Sequence, residues 1–219
     1  MTAAARRGRR PRTYEAVLGA TAQLLEATPL SELSVAQILS AAGVGRTSFY
    51  EHFSSKDDVV VKLMRRISAE VGEELEPLFA GGRGSPDAAV RHALGNVLAT
   101  ASRHARLLVT VSEEWPVVPE LRVIWFAMLG EATARLAETI DRERAAGAAP
   151  PGADSRALAA SLVWTAERSF HVAMTEAHAT LSGADSLIEP LVQLFVGTIY
   201  GRPVVPASRA GAEPRFRES

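Results

Sequence analysis

The chain has 219 residues, no cysteine and a net charge of −1, and 47% of its residues are hydrophobic. That length builds one sizeable core with a small appended domain. The lack of cysteine excludes disulfides and thiolate metal sites, and no apolar run approaches the ~18 residues a membrane-spanning helix needs.

The opening MTAAARRGRRPRTYEAV is basic, but no apolar segment follows it, so the reading is of a cytoplasmic protein without a membrane partner. Alanine, leucine, arginine and glutamate dominate and β-branched alternation is scarce, which predicts an all-α fold. Charge is uneven: ten basic residues against six acidic ones between Met1 and Arg66 give +4, leaving −5 on the remainder. A basic end on an acidic body implies two kinds of partner, the first polyanionic.

In chain order, residues 1–12 read as a basic, disordered arm, with Arg9 and Arg10 available to phosphate or the minor groove. A first helix is predicted from about Thr13 to Ala27, with Val17, Ala20, Leu24 and Leu25 as its apolar stripe and Pro29 as its stop. Ser34 caps a short second helix, and Gln37 completes a capping box. Val35, Ile38, Leu39 and Ala42 face inward from it, and Gly43 supplies the left-handed backbone that ends it. A third helix over Arg46–Phe53 is too short to stand alone, so Phe49 and Phe53 must pin it. Ser55 and Asp58 predict a second capping box, opening a longer helix to about Phe79.

GGRGSP at 81–86 reads as a loop, without the strand-to-helix context of a nucleotide-binding turn. Further helices are expected at 86–102, 104–114, 118–146, 153–181 and 185–200, and the tail 202–219 as disordered. These elements divide into a helix-turn-helix domain over 13–60, expected to bind DNA, and a helical bundle over 61–201, expected from the residues and resemblance given below to bind ligand and dimerise.

Projected at 100° per residue with Phe49 and Phe53 inward, Thr47 and Glu51 point outward, flanked by Ser48 and Tyr50. In a helix-turn-helix that face enters the major groove of double-stranded DNA. Arg46 suits bidentate contact with guanine and Thr47 a thymine methyl. Tyr50, Lys56 and the helix N-termini at Ser34 and Ser55 suit phosphate. Two roles fit Glu51: accepting a hydrogen bond from cytosine, or a local pair with Lys56 or Arg46.

The stretch VAQILSAAGVGRTSFYEHFSSKDDVV resembles the signature of the TetR family of one-component transcriptional regulators. The resemblance places the Tyr-x-His-Phe run at Tyr50 to Phe53 in the recognition helix and a lysine, Lys56, at the start of the next helix. It implies phosphate contacts by Tyr50, His52 and Lys56, and base-edge or nearby contacts by Arg46, Thr47 and Ser48. IDRERAAGAAP (140–150), ALAASLVWTAERSFHVA (157–173) and LVQLFVGTIYG (191–201) resemble the EthR-type branch of that family. That likeness implies a similar ligand domain and dimer.

The second half is rich in large apolar side chains. Leu94, Leu98, Leu107, Val111, Trp115, Trp125, Met128, Leu129, Trp164, Phe170 and Met174 fit either a plain core or the lining of one elongated cavity for a small apolar effector. The resemblance favours a cavity, with Trp125 at a pocket position. It also shows a departure: Ala166 stands where EthR-type proteins carry a ligand-binding asparagine, which leaves Thr165, Glu167 or His171 as polar anchors. On the last helix, Leu187, Leu191, Leu194, Phe195, Thr198 and Ile199 form a stripe expected to build a homodimer with the helix before it.

An enzyme is a poor second reading. Glu167 and His171 stand four apart and His178 seven further on, but no HExxH, nucleophile elbow or phosphate loop accompanies them. No catalytic residue, metal or cofactor is implied. The expectation is a dimeric repressor released from its operator by a small apolar effector. Activation instead of repression, or a non-specific architectural DNA-binding dimer with a collapsed core, are the alternatives.

Overall fold

The computed structural model describes residues 3–80, 85–181 and 184–201, with side chains from Arg12 onward except 182–185. Among the described residues the fold is all-α, with no strand. Its helices are α1 (Ala3–Leu25), α2 (Val35–Ala42), α3 (Arg46–Tyr50), α4 (Lys56–Ala80) and α5 (Pro86–Arg103). They continue as α6 (Ala105–Glu114), α7 (Pro119–Ala145), α8 (Ser155–Met174), a 3₁₀ turn (Ala179–Leu181) and α9 (Ala184–Tyr200).

The first helix starts at Ala3 rather than about Thr13, so the stretch expected as a disordered arm continues α1. Alanine and arginine are among the stronger helix formers, which favours that extension. Arg9 and Arg10 lie on it, with their side chains outside the described residues. The GGRG segment 81–84 and the tail 202–219 also lie outside them.

α2 forms as its sequence dictates. Gln37 N–H donates to Ser34 Oγ (3.3 Å), and Ser34 N–H donates to Gln37 Oε1 (2.8 Å). Gly43 ends the helix at φ 65°, and Val44 N–H reaches back to Leu39 O. At α4 the second box is only half made. Asp58 N–H donates to Ser55 Oγ (3.1 Å), whereas the Asp58 carboxylate accepts from Ser54 N–H (2.9 Å), one residue earlier than expected.

Phe49 and Phe53 are fully buried, with Tyr14 of α1 stacked on Phe53 at 5.2 Å. Their cluster runs on without a break into Leu107, Val111, Leu121 and Trp125 of α6 and α7. The expected domain boundary at 60/61 therefore falls inside α4, which belongs to both ends of the molecule. Arg142 of α7 caps the far end of α4 by donating to Phe79 O (2.9 Å). Arg91 of α5 grips Glu189 of α9 with two hydrogen bonds of 2.6 and 3.1 Å.

Two expectations about the last helices change. α8 stops at Met174 and not near 181, through a left-handed Glu176 (φ 52°) and the bond from Ala177 N–H to Val172 O. No glycine or proline marks that stop, so the periodic pattern ran past it. On α9, Leu187, Leu191, Phe195 and Ile199 are buried within the protomer, not offered to a partner. They cover α5 and α8, and only the Leu194 and Thr198 edge of the expected stripe is exposed.

Candidate DNA-binding face and ligand cavity

Phe49 anchors α3 so that Arg46, Thr47, Tyr50 and Glu51 are exposed and Ser48 is half-buried. The projection made from the sequence therefore describes the outer face of α3 correctly. Tyr50 is 52% exposed, its ring edge-on to Phe49 at 5.2 Å. Glu51 is in no ion pair with Arg46 or Lys56 among the described residues, which removes the local pairing weighed for it.

Three residues expected to contact phosphate already have partners within the protein. The Lys56 ammonium donates to Leu30 O (2.6 Å), Leu33 O (2.8 Å) and Ser31 O (3.4 Å), so its three protons hold the turn between α1 and α2. A buried helix junction must satisfy such carbonyls, and a lysine at the start of α4 is within reach of them. The His52 ring lies edge-on to Tyr14, 6.0 Å between centroids. The Ser34 hydroxyl, beyond its capping role, donates to Gln37 Oε1 (2.7 Å). Lys62, which the sequence reading passed over, does for the end of α3 what Lys56 does for α1. It donates to His52 O (2.6 Å), pairs with Asp58 (3.0 Å) and lies 4.7 Å from the Phe53 ring centre.

In the other half, a cavity of ≈ 150 Å³ opens between α4, α5, α7 and α8. Its walls include Leu94, Trp125, Met128, Leu129, Glu167, Phe170, His171 and Met174, all expected from the sequence. The α4 contribution, Ile67, Val71, Leu75, Leu78 and Phe79, was missed. Its signal was the i, i+4, i+8, i+11 continuation of the apolar face of α4 past residue 63. Ala166 borders the cavity and leaves room where the asparagine of the EthR-type pattern would stand.

Leu98, Leu107, Val111, Trp115 and Trp164 do not line it. Leu107 and Val111 are buried toward the DNA-binding end, and Leu98 is buried in the core shared with α9. Trp164 sits about 100° around α8 from Val163, off the cavity stripe formed by Val163, Glu167, Phe170, His171 and Met174. Instead it joins Trp115 around Phe126, with centroid distances of 5.5 and 5.1 Å. Thr165 faces outward, its hydroxyl donating to Ser161 O (2.7 Å), and so does not serve as a polar anchor.

The polar content of the cavity is small. Glu167 has both carboxylate oxygens buried without a hydrogen-bond partner, and burial pushes its carboxyl above the ordinary range despite Arg168 nearby. The His171 ring shares Nδ1 with Ser112 Oγ at 2.8 Å, and burial, aided by Arg168, holds its pKa below the ordinary value. Trp125 Nε1–H is likewise buried without a partner. Glu167 and His171 thus have no metal-ligating cluster around them among the described residues.

A capped helix-turn-helix joined by one long helix to an α-helical body defines the class of helix-turn-helix DNA-binding regulators. Residues 17–63 match the family described as bacterial regulatory proteins, tetR family, and residues 90–201 the transcriptional regulator EthR C-terminal domain. The chain belongs to the TetR family of transcriptional regulators, with a C-terminal domain of the EthR kind. It is 27% identical over 188 residues to the HTH-type transcriptional regulator EthR of Mycolicibacterium smegmatis, covering 85% of this chain and 86% of that one.

Among solved structures, the SmeT–triclosan complex superposes with a TM-score of 0.69 at 22% identity, covering 92% and 99% of the two chains. The fatty acid degradation regulator FadR from Bacillus halodurans gives 0.69 at 20% identity, covering 84% and 95%. These two share the fold. The families and relatives that match are transcriptional regulators and not enzymes.

Proposed function

We propose that the chain is a homodimeric repressor that leaves its operator when a small, largely apolar effector fills the C-terminal cavity. The observation that carries this reading is α4. Its first turns pin the helix-turn-helix through Lys56, Asp58 and Lys62, and its last turns wall the cavity through Val71, Leu75 and Leu78. A ligand that pushes on the far half of α4 shifts the half that holds α3. It favours the released state only by its difference in affinity for the two states.

The cavity itself supports an effector. Its space of ≈ 150 Å³ is walled almost wholly by apolar side chains, and an apolar ligand gains about 25 cal/mol for each Å² of surface it buries there. That space also counts against the architectural reading, which requires a collapsed core. For the dimer, the free surface is the outer face of α8, Ala157, Ser161 and Thr165, beside Leu194 and Thr198 of α9. Ser161 and Thr165 turn their hydroxyls back to their own helix, so that face is smooth and allows close helix approach.

On DNA, Arg46 and Thr47 read base edges and Tyr50 and Ser48 contact the backbone, with Arg9 and Arg10 adding contacts from the N-terminal extension. Fluorescence anisotropy with the DNA upstream of the chain's own gene and its divergent neighbour tests the reading. Tight binding that survives unrelated competitor supports it, and binding that competitor abolishes favours the architectural alternative.

A further inference from the structure

We propose that the cavity takes a cationic amphiphile: an apolar body carrying one protonated amine, which the Glu167 carboxylate receives. The proposal rests on the reading of this cavity as the effector site and names the chemistry of the occupant. The walls are hydrocarbon except at four side chains, and these are unbalanced. Glu167 is only 9% exposed, and both of its oxygens lack a hydrogen-bond partner. The nearest cation, Arg168, is half-exposed, and its Nη2 stands 3.7 Å from Glu167 Oε2, beyond hydrogen-bond distance.

One helical turn along α8, His171 Nδ1 lies 2.8 Å from Ser112 Oγ of α6, and with the Ser112 hydroxyl donating to Val109 O (3.1 Å) the ring is assigned the Nδ1–H tautomer. That assignment leaves His171 Nε2 as a second acceptor on the same face of α8. Among the described lining residues, Trp125 Nε1–H is the one buried side-chain donor without a partner. The site is thus rich in acceptors and poor in donors, and among the described residues neither lysine nor arginine lines it.

A fatty carboxylate would meet Glu167 as a like charge. A plain hydrocarbon would leave every one of these atoms unsatisfied, at a cost to each. An alkylammonium supplies several N–H donors and a charge opposite to Glu167, and the rings of Trp125 and Phe170 are faces on which such a cation rests well. The alanine at position 166 removes the bulk that would stand beside this head group.

The test compares octylamine, octan-1-ol and octanoate, which share one apolar body, by isothermal titration calorimetry on the full-length protein at neutral pH. Octylamine is expected to bind at least tenfold tighter than octanol, with octanoate weakest. In Glu167→Gln the amine is expected to lose about tenfold while octanol changes less than twofold. Equal affinities for amine and alcohol, a preference for octanoate, or no binding by any of the three overturns the proposal. Should Glu167→Gln fail to fold, the wild-type ranking decides by itself. An operator titration of the same preparation, without additive, separates the two readings. Retained operator binding with no amine preference removes only this ligand class, whereas absent operator binding removes the repressor reading whatever the ranking.

Discussion

Lys56 shows how a residue in a motif position can carry a structural task that its type and place do not reveal. From the sequence, a lysine one turn beyond the recognition helix reads as a phosphate contact. In the fold its ammonium closes the α1–α2 turn by donating to Leu30 O and Leu33 O. No local pattern reveals this, because the carbonyls lie more than twenty residues away and depend on how α4 crosses α1. Lys56→Met is therefore expected to destabilise the protein by about 2 kcal/mol, the range for hydrogen bonds to a charged group. Urea unfolding measures it. Unchanged stability with a salt slope shallower by about one unit would return Lys56 to the DNA contacts. Arg46 is exposed at the start of α3, where the proposed base contact requires it. Arg46→Ala should cost ~1–3 kcal/mol and relax preference at one base pair, seen by titrating single-base operator variants. Equal loss on every variant would reduce it to a phosphate contact.

At the scale of elements, the caps were legible because they are local. Ser34 with Gln37 and the left-handed Gly43 sit within one helical turn of what they satisfy. The end of α8 was not legible, because a left-handed glutamate at 176 does the work that glycine usually does. The α4 cap carries a pH signature. Burial opposes ionisation of Asp58, but the Ser54 N–H and Lys62 outweigh it and hold its carboxyl below 3.8. A lowered folded value means that its stabilisation is present above pH 3.8 and is lost as pH falls through the lowered value. Asp58→Ala is expected to cost about 1 kcal/mol at neutral pH and to flatten that acid limb, as thermal melts across pH would record. An identical acid limb in both proteins would contradict the assignment. On α9, Leu194 is 40% exposed, and Thr198 is the other exposed member of its stripe. Leu194→Glu should yield monomers in sedimentation velocity without loss of helicity, and a persistent dimer would place the interface elsewhere.

For the whole molecule, the helix expected to run to about Phe79 forms as α4, and it joins the two ends across the boundary expected at 60. Binary patterning announces helices and glycine punctuation announces the turn of a helix-turn-helix. A boundary drawn at residue 60 divides a helix that is continuous from Lys56 to Ala80. The same limit explains the cavity. Eight expected lining residues meet there, because each stood on a helix face pointing inward. Trp115 and Trp164 were assigned by size and not by angle, and they pack outside it around Phe126. Which side of a bundle a large residue faces is set by three or four helices together, and one sequence shows each helix separately.

As proposed, this family member reads a specific DNA sequence through the exposed face of α3. The most direct measurement is the anisotropy titration against the upstream DNA of its own gene at fixed salt, with wild type and Arg46→Ala side by side. Tight wild-type binding that unrelated competitor leaves intact is expected, with at least a fivefold loss for the variant. Weak binding that competitor removes equally from both proteins would contradict the proposal.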